Sequence, residues 1–169
     1  HPTNGDIFIA GDTCVRRLRD GQLSILAGKP GEVGFATGPG RDARFRKCRG
    51  LSVSPHADSL LLCDYDNHCV FRIHLVTSEV VLVCGRPGEK GKLDGPVSVA
   101  TFETPGKAIE AENGDTFVMC VESHRIRRVD RLFNVSTVSS GGLIDRPFDM
   151  VYWPKTSTLY VGGGSIVAV

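Results

Sequence analysis

Long apolar runs and an excess of charge of one sign are both missing from this sequence. The longest apolar runs, such as Val80–Cys84, have only five residues, whereas a helix that crosses a membrane needs about 20. The 20 basic and 19 acidic side chains leave a formal net charge of +1, which argues against a polyanion covering the whole surface. The sequence therefore predicts neither a membrane-spanning helix nor a membrane partner.

Cysteine is present but sparse. Six cysteines in 169 residues are too few for a disulfide scaffold, and no C-x-x-C pair indicates a zinc or redox site. Most of them lie in or beside apolar segments, where a thiol is expected to behave as a small buried hydrophobic group. Cys63 and Cys69 flank one tight turn and could face each other across a hairpin, so they are the first pair to test for a disulfide. No cofactor or metal is predicted.

Turn-forming residues are abundant, with 20 glycines and 9 prolines. The glycines lie at the ends of short apolar runs and do not recur in a fixed triplet, which excludes a collagen-like chain. Sustained helical periodicity is absent, and the short runs are rich in β-branched and aromatic residues. The composition therefore favours an all-β fold of short strands.

The chain repeats itself. One five-residue pattern occurs three times, at residues 14–18, 69–73 and 125–129. Its second residues, Val15, Val70 and Ile126, are 55 and 56 positions apart. Further strand-like segments accompany each copy in a constant order, which we label A to D, and the resulting units cover approximately residues 5–28, 50–85, 106–141 and 148–169.

Units of four antiparallel strands at this period are typical of β-propeller blades, because each small sheet buries its faces only against its neighbours. We therefore predict one all-β domain over residues 1–169, a partial propeller of three to four blades. The first unit lacks strand A and the last lacks strand D, which leaves 14 strands. Since a closed propeller usually has about four to eight complete blades, we expect a fragment of a larger protein or an arc that closes on a second copy. Open sheet edges should promote self-association.

The segments that join strand D to the next strand A are long and alike in the first two cases. Residues 31–38 precede Ala43 and Phe45, and residues 88–95 precede Ala100 and Phe102. The third connection lacks this insertion, because Gly141 is followed almost at once by Pro147.

The turn between strands B and C resembles the NHL repeat, which is named after an Asn-His-Leu signature. Residues 66–73 contain Asn67 and His68, and residues 123–130 contain His124. The resemblance is weaker in the first unit, where Thr13 replaces the histidine, and weakest over residues 163–166. It implies a propeller, usually of six blades, that binds proteins or RNA. It also implies that a minority of related propellers are lyases or lactonases with a metal in the central channel.

Residues that recur in every unit are expected to serve the folding of that unit. His68 and His124 occupy one repeated turn position, where a histidine can hydrogen-bond the loop backbone. Arginines occupy a second repeated position, on strand C, where a long side chain can link one blade to the next. These arginines are Arg17, Arg72 and Arg128.

A function confined to one part of the ring should break the repeat. Residues 41–49 carry five basic side chains and one acid, whereas their counterpart, residues 98–107, carries one of each. The basic residues are Arg41, Arg44, Arg46, Lys47 and Arg49. This segment predicts a contact surface for an acidic protein partner. A solvated loop whose charges pair locally is the alternative, and RNA is disfavoured because no aromatic RNP motif is present.

We therefore predict a non-catalytic protein-interaction scaffold. The first alternative is a propeller enzyme of the lyase or lactonase type, whose channel metal would need ligands from missing blades as well as Glu110 and Asp149, the only acids on the predicted A strands. The second alternative is an RNA-binding NHL domain.

Overall fold

The computed structural model describes residues 1–140, 144–163 and 166–168. These residues form an all-β structure with one short 3-10 turn, Pro154–Thr156, and no helix long and apolar enough to cross a membrane. The strands are β1 (Ile7–Gly11), β2 (Cys14–Arg19), β3 (Gln22–Gly28), β4 (Cys48–Val53), β5 (Ser59–Asp64), β6 (Cys69–His74), β7 (Val80–Cys84), β8 (Gly95–Pro96), β9 (Pro105–Glu110), β10 (Thr116–Cys120), β11 (Arg125–Val129), β12 (Asn134–Ser140), β13 (Asp149–Trp153), β14 (Thr158–Gly162) and β15 (Ile166–Ala168).

The strands form four antiparallel sheets, which we number as blades 1 to 4 along the chain. Blade 1 has the order β1-β2-β3, blade 2 the order β4-β5-β6-β7 and blade 4 the order β13-β14-β15. Blade 3 has the order β9-β10-β11-β12, and the short strand β8 extends it outside β12. The predicted all-β class and antiparallel blades are confirmed. Three predicted strand ends, Gly141, Ser165 and Val169, lie outside the described residues.

Each blade has two faces because successive side chains of a strand point to opposite sides of the sheet. We call the face that packs on the following blade the leading face, and the face that packs on the preceding blade the trailing face. The leading face of blade 1 includes Phe8 and Val15, which pack against Leu60, Leu62 and Phe71 on the trailing face of blade 2. Burial of such side chains stabilises the fold by about 1.5–3 kcal/mol each.

The same kind of contact joins the other blades. Leu61 and Cys63 on the leading face of blade 2 pack with Val118 of blade 3. The next interface joins Met119 of blade 3 to Leu159 of blade 4. Each pair of neighbouring blades thus has its own apolar core.

The predicted facing of Cys63 and Cys69 is wrong. Cys63 pairs with Val70 and Cys69 pairs with Asp64, so the two thiols belong to opposite faces of blade 2. Both are free and buried. Burial raises the pKa of the Cys69 thiol to about 12. Since the thiolate is the reactive form, Cys69 is expected to be chemically unreactive at neutral pH.

The two long connections have one backbone design. Connection 1 (residues 29–47) joins blades 1 and 2, and connection 2 (residues 86–104) joins blades 2 and 3. The N–H of Gly34 donates to the carbonyl of Phe45 at 3.1 Å, and the N–H of Gly91 donates to the carbonyl of Phe102 at 3.1 Å. Both phenylalanines are fully buried. The connections are therefore ordered parts of the blade interfaces.

Candidate binding surface on connection 1

The repeated histidines lie in the turns between strands B and C. His68 and His124 both have left-handed backbone conformations, with φ of 59° and 52°. Nδ1 of His68 accepts a hydrogen bond from the N–H of Thr104 at 3.2 Å, which links the blade 2 turn to connection 2. Burial lowers the pKa of His68, and the neutral ring is the form that accepts this bond.

The repeated arginines have three different environments. Arg72 donates to both carboxylate oxygens of Glu110 on the next blade, at 2.9 and 3.1 Å. Arg128 instead bonds Asp115 of its own blade at 2.8 Å. The buried Nε of Arg17 has no hydrogen-bond partner among the described residues. A link between blades is therefore seen at Arg72 alone among the three.

Both acids of the enzyme alternative are engaged by cations. Glu110 is held by Arg72, and Asp149 forms an ion pair with Lys107. No cluster of three or more potential metal ligands occurs in the part of the chain that the structure describes.

The five basic residues of connection 1 and β4 do not form one patch. Arg44 pairs with Glu32 at 3.0 Å, and its Nη1 also donates to the carbonyls of Arg41, Asp42 and Ala43. These bonds fix the shape of the loop and leave little of the guanidinium for a ligand. Arg44 is therefore a structural residue.

Arg41 lies beside Arg44 and apart from Arg46 and Lys47. It lines a shallow cleft beside β3, where Leu23, Ile25 and Lys29 are its neighbours. Arg46 and Lys47 line a different cleft of about 830 Å³, together with Asp12 and Arg16 of blade 1. The structure thus separates Arg41 from Arg46 and Lys47.

A buried carboxylate holds the backbone of Arg46 and Lys47. Their N–H groups donate to Asp64 at 2.8 and 2.9 Å, and Nδ2 of Asn67 donates to it at 2.8 Å. Asp64 is completely buried, and its hydrogen bonds offset the cost of burying a charge. These bonds hold the backbone of Arg46 and Lys47, and the side chains of both residues are exposed to solvent.

An aromatic side chain orients the two cations that follow. The Lys47 ammonium and the Arg49 guanidinium lie 5.5 and 4.7 Å from the centre of the Tyr65 ring. Arg46, Lys47 and Arg49 are all exposed, and within the described ranges none of them forms an ion pair with a carboxylate. We call these three residues the cation patch.

Connection 2 carries basic residues that are neutralised. Lys90 pairs with Glu103 at 3.0 Å and with Glu122 at 2.6 Å, and Lys92 pairs with Glu103 at 3.2 Å. The hydrogen bond from Lys90 holds the pKa of Glu122 below its usual value. Free positive charge is therefore a property of connection 1 and not of the shared backbone design.

Sequence reasoning missed Asp64 and Tyr65, although a signal was available. The equivalent residues of blade 3, 56 positions later, are Cys120 and Val121. Asp64 and Tyr65 therefore differ from their equivalents in blade 3, as the basic residues that they contact also do. A search for coincident breaks would have found them.

No family model and no curated protein sequence matches this chain. Solved structures do resemble it. An auxiliary nutrient binding protein from Bacteroides thetaiotaomicron has a TM-score of 0.73 at 16% identity, over 96% of this chain and 43% of its own. A gluconolactonase from Xanthomonas campestris has a TM-score of 0.67 at 15% identity, over 99% of this chain and 54% of its own.

A virginiamycin B lyase from Staphylococcus aureus has a TM-score of 0.64 at 10% identity, and the match covers 99% of this chain and 52% of the lyase. The chain thus spans about half the length of these structures. Similarity at such low identity shows the fold alone, and different functions occur on one fold. The chain has the fold of a β-propeller protein.

Proposed function

We propose that this chain is a non-catalytic binding scaffold, built on NHL-type propeller blades, whose cation patch contacts an acidic protein partner. The observation that carries the proposal is the contrast between Arg44, which is fully engaged, and the three exposed cations beside it that have no acidic partner among the described residues. The Asn67-His68 turn supports the NHL assignment at the level of sequence.

A backbone that is held in place and side-chain charges that are not paired are both suited to binding a partner. Loops on a rigid sheet scaffold are a common place for binding residues. Because Asp64 orders the patch before a partner arrives, little conformational entropy is lost on binding. A localised positive charge also raises the rate of encounter with an acidic surface.

The enzyme alternative is less well supported. A channel metal held by Glu110 or Asp149 would have to compete with Arg72 or Lys107 for the carboxylate. The lactonase and lyase activities belong to the neighbours of similar fold, and no contact among the described residues favours them here.

A charge-reversal experiment tests the proposal. The variant combines Arg46→Glu, Lys47→Glu and Arg49→Glu, and the matched control combines Arg41→Glu, Arg131→Glu and Lys155→Glu at exposed positions elsewhere. Binding of a fluorescein-labelled oligoglutamate peptide is measured by anisotropy at low and high salt. We expect the patch variant to bind about tenfold more weakly, equivalent to about 1.4 kcal/mol, and the difference to shrink in high salt.

Equal loss in both variants would show that net charge alone matters and would overturn the proposal. A fluorescein-labelled oligouridine that binds the wild-type chain more tightly than oligoglutamate does would favour the RNA alternative instead. Melting temperatures should stay close to wild type, because exposed charges contribute about 0–1 kcal/mol each.

A further inference from the structure

Blade 1 exposes an apolar trailing face. Ile7 is 56% exposed and Leu23 is 58% exposed, and Ile9 and Ile25 are also accessible. Their strand neighbours on the other face, such as Phe8, pack into the core with blade 2. The exposed residues therefore form one continuous side of the sheet.

Blade 4 exposes an apolar leading face. Val151 is 55% exposed and Trp153 is 50% exposed. Tyr160 lies on the same face, because it pairs directly with Val151. Met150 and Leu159, on the opposite face, are buried against blade 3.

The two exposed faces are of opposite kind. Within the chain, a leading face packs on a trailing face three times, between blades 1 and 2, blades 2 and 3, and blades 3 and 4. Among the described residues, the trailing face of blade 1 has no leading partner and the leading face of blade 4 has no trailing partner. The surface that each end requires is thus present at the other end of the same chain.

We propose that a second copy of this chain covers both faces, with the leading face of blade 4 of each copy packed on the trailing face of blade 1 of the other. One such contact leaves two apolar faces in water, whereas a two-fold arrangement makes the contact twice and buries all four. Since the chain spans 43% and 54% of the Bacteroides and Xanthomonas propellers, two copies supply about the length of one such chain.

Sedimentation velocity over a concentration series tests this arrangement. We expect a dimer for the wild-type chain. Ile9→Glu damages the trailing face and Trp153→Glu damages the leading face, so each variant alone has two damaged contacts in a dimer and should be monomeric. Val76→Glu, at a position that is 93% exposed on blade 2, is the matched control and should remain dimeric.

Mixing the two variants distinguishes this arrangement from other modes of association. A mixed pair keeps one undamaged contact, between blade 1 of the Trp153→Glu copy and blade 4 of the Ile9→Glu copy. An equimolar mixture should therefore contain heterodimers that neither variant forms alone. Failure of the mixture to associate would overturn the head-to-tail arrangement.

Fluorescence supplies a second readout, since Trp153 is the single tryptophan. Its emission should shift to shorter wavelength as the wild-type chain is concentrated, and should not shift in Ile9→Glu. Leu23→Lys replaces Ile9→Glu if the latter fails to fold by circular dichroism. A wild-type chain that stays monomeric at high concentration overturns the proposal and assigns these faces to another partner, such as blades of a longer polypeptide.

Discussion

Connections 1 and 2 are two versions of one structure with different electrostatics. A parallel bridge joins Val33 to Phe45 in connection 1, and an equivalent bridge joins Lys90 to Phe102 in connection 2. Each residue of the second bridge lies 57 positions after its counterpart in the first. The backbone design is therefore carried by the buried positions, which the two connections share.

The anchors of the two connections differ in sign. Connection 1 is held by the buried carboxylate of Asp64, which accepts backbone N–H groups. Connection 2 is held by the buried guanidinium of Arg127, which donates to Asp94 and to the carbonyls of Leu93 and Thr101. The Asp64 carboxylate thus orients connection 1, which is rich in basic residues. The Arg127 guanidinium is paired with the Asp94 carboxylate of connection 2.

The two connections show that different residues determine the path of the loop and its surface charge. Buried apolar residues give both connections the same path, while the exposed residues are free to differ. In connection 2, Lys90 and Lys92 pair with Glu103, and Lys90 also pairs with Glu122 of blade 3. The cation patch at the end of connection 1 and the start of β4 has no acidic partner among the described residues. Variants at matched positions of the two connections can test each part of this comparison.

The largest expected effect comes from the shared core. Phe45→Ala and Phe102→Ala should each destabilise the chain by about 3–5 kcal/mol, because each removes a fully buried aromatic ring and leaves a cavity. Urea unfolding followed by circular dichroism measures the loss. Similar costs would support a common backbone design, whereas a loss below about 1 kcal/mol at either position would show that its connection is not held by the core.

The fold was accessible from the sequence because the signal is repeated. Val15, Val70 and Ile126 occupy equivalent positions in three sheets, so three independent segments support one strand order. Strand β8 escaped prediction, since a two-residue pairing with Asn134 and Val135 depends on where connection 2 passes the edge of blade 3. Propensity contains no information on such a contact.

The cysteine prediction failed for a reason of register. Residues on either side of a tight turn face each other only when the strand pairing places them directly opposite, and a shift of one residue moves a side chain to the other face. Cys63 lies opposite Val70, one position beyond Cys69. The turn length was readable from the sequence, but its pairing was not.

The anchor of connection 1 gives the second prediction. Asp64→Leu should destabilise the chain by about 2–4 kcal/mol, because it leaves the backbone N–H groups of Arg46 and Lys47 and the side-chain amide of Asn67 without their acceptor. The control is Asp66→Leu, which removes the same charge at an exposed position two residues away and should change stability by less than about 0.5 kcal/mol. Chemical denaturation compares the two, and equal effects would mean that charge, rather than the hydrogen bonds of Asp64, is responsible.

The candidate site was only partly readable. Counting charges located the basic segment, but it did not distinguish Arg44 from Lys47. The Arg44 guanidinium is bonded to Glu32 and three carbonyls, whereas the Lys47 ammonium has no such bond within the described part of the chain. That distinction depends on the geometry of the loop, which is held beside the buried side chain of Phe45. Composition identifies a charged loop, and packing decides which of its charges remain available.

The smallest expected effect concerns these available charges. Lys90→Met should lower the melting temperature slightly at low salt, since Lys90 bridges Glu103 and Glu122 and its loss leaves two carboxylates close together. Lys47→Met should change stability by less than about 0.5 kcal/mol, because the Lys47 ammonium has a cation–π contact with Tyr65 and no ion pair among the described residues. Thermal unfolding at low and high salt measures both, and screening should reduce the difference between them. A larger loss for Lys47→Met than for Lys90→Met would place Lys47 among the structural residues with Arg44 and would remove it from the cation patch.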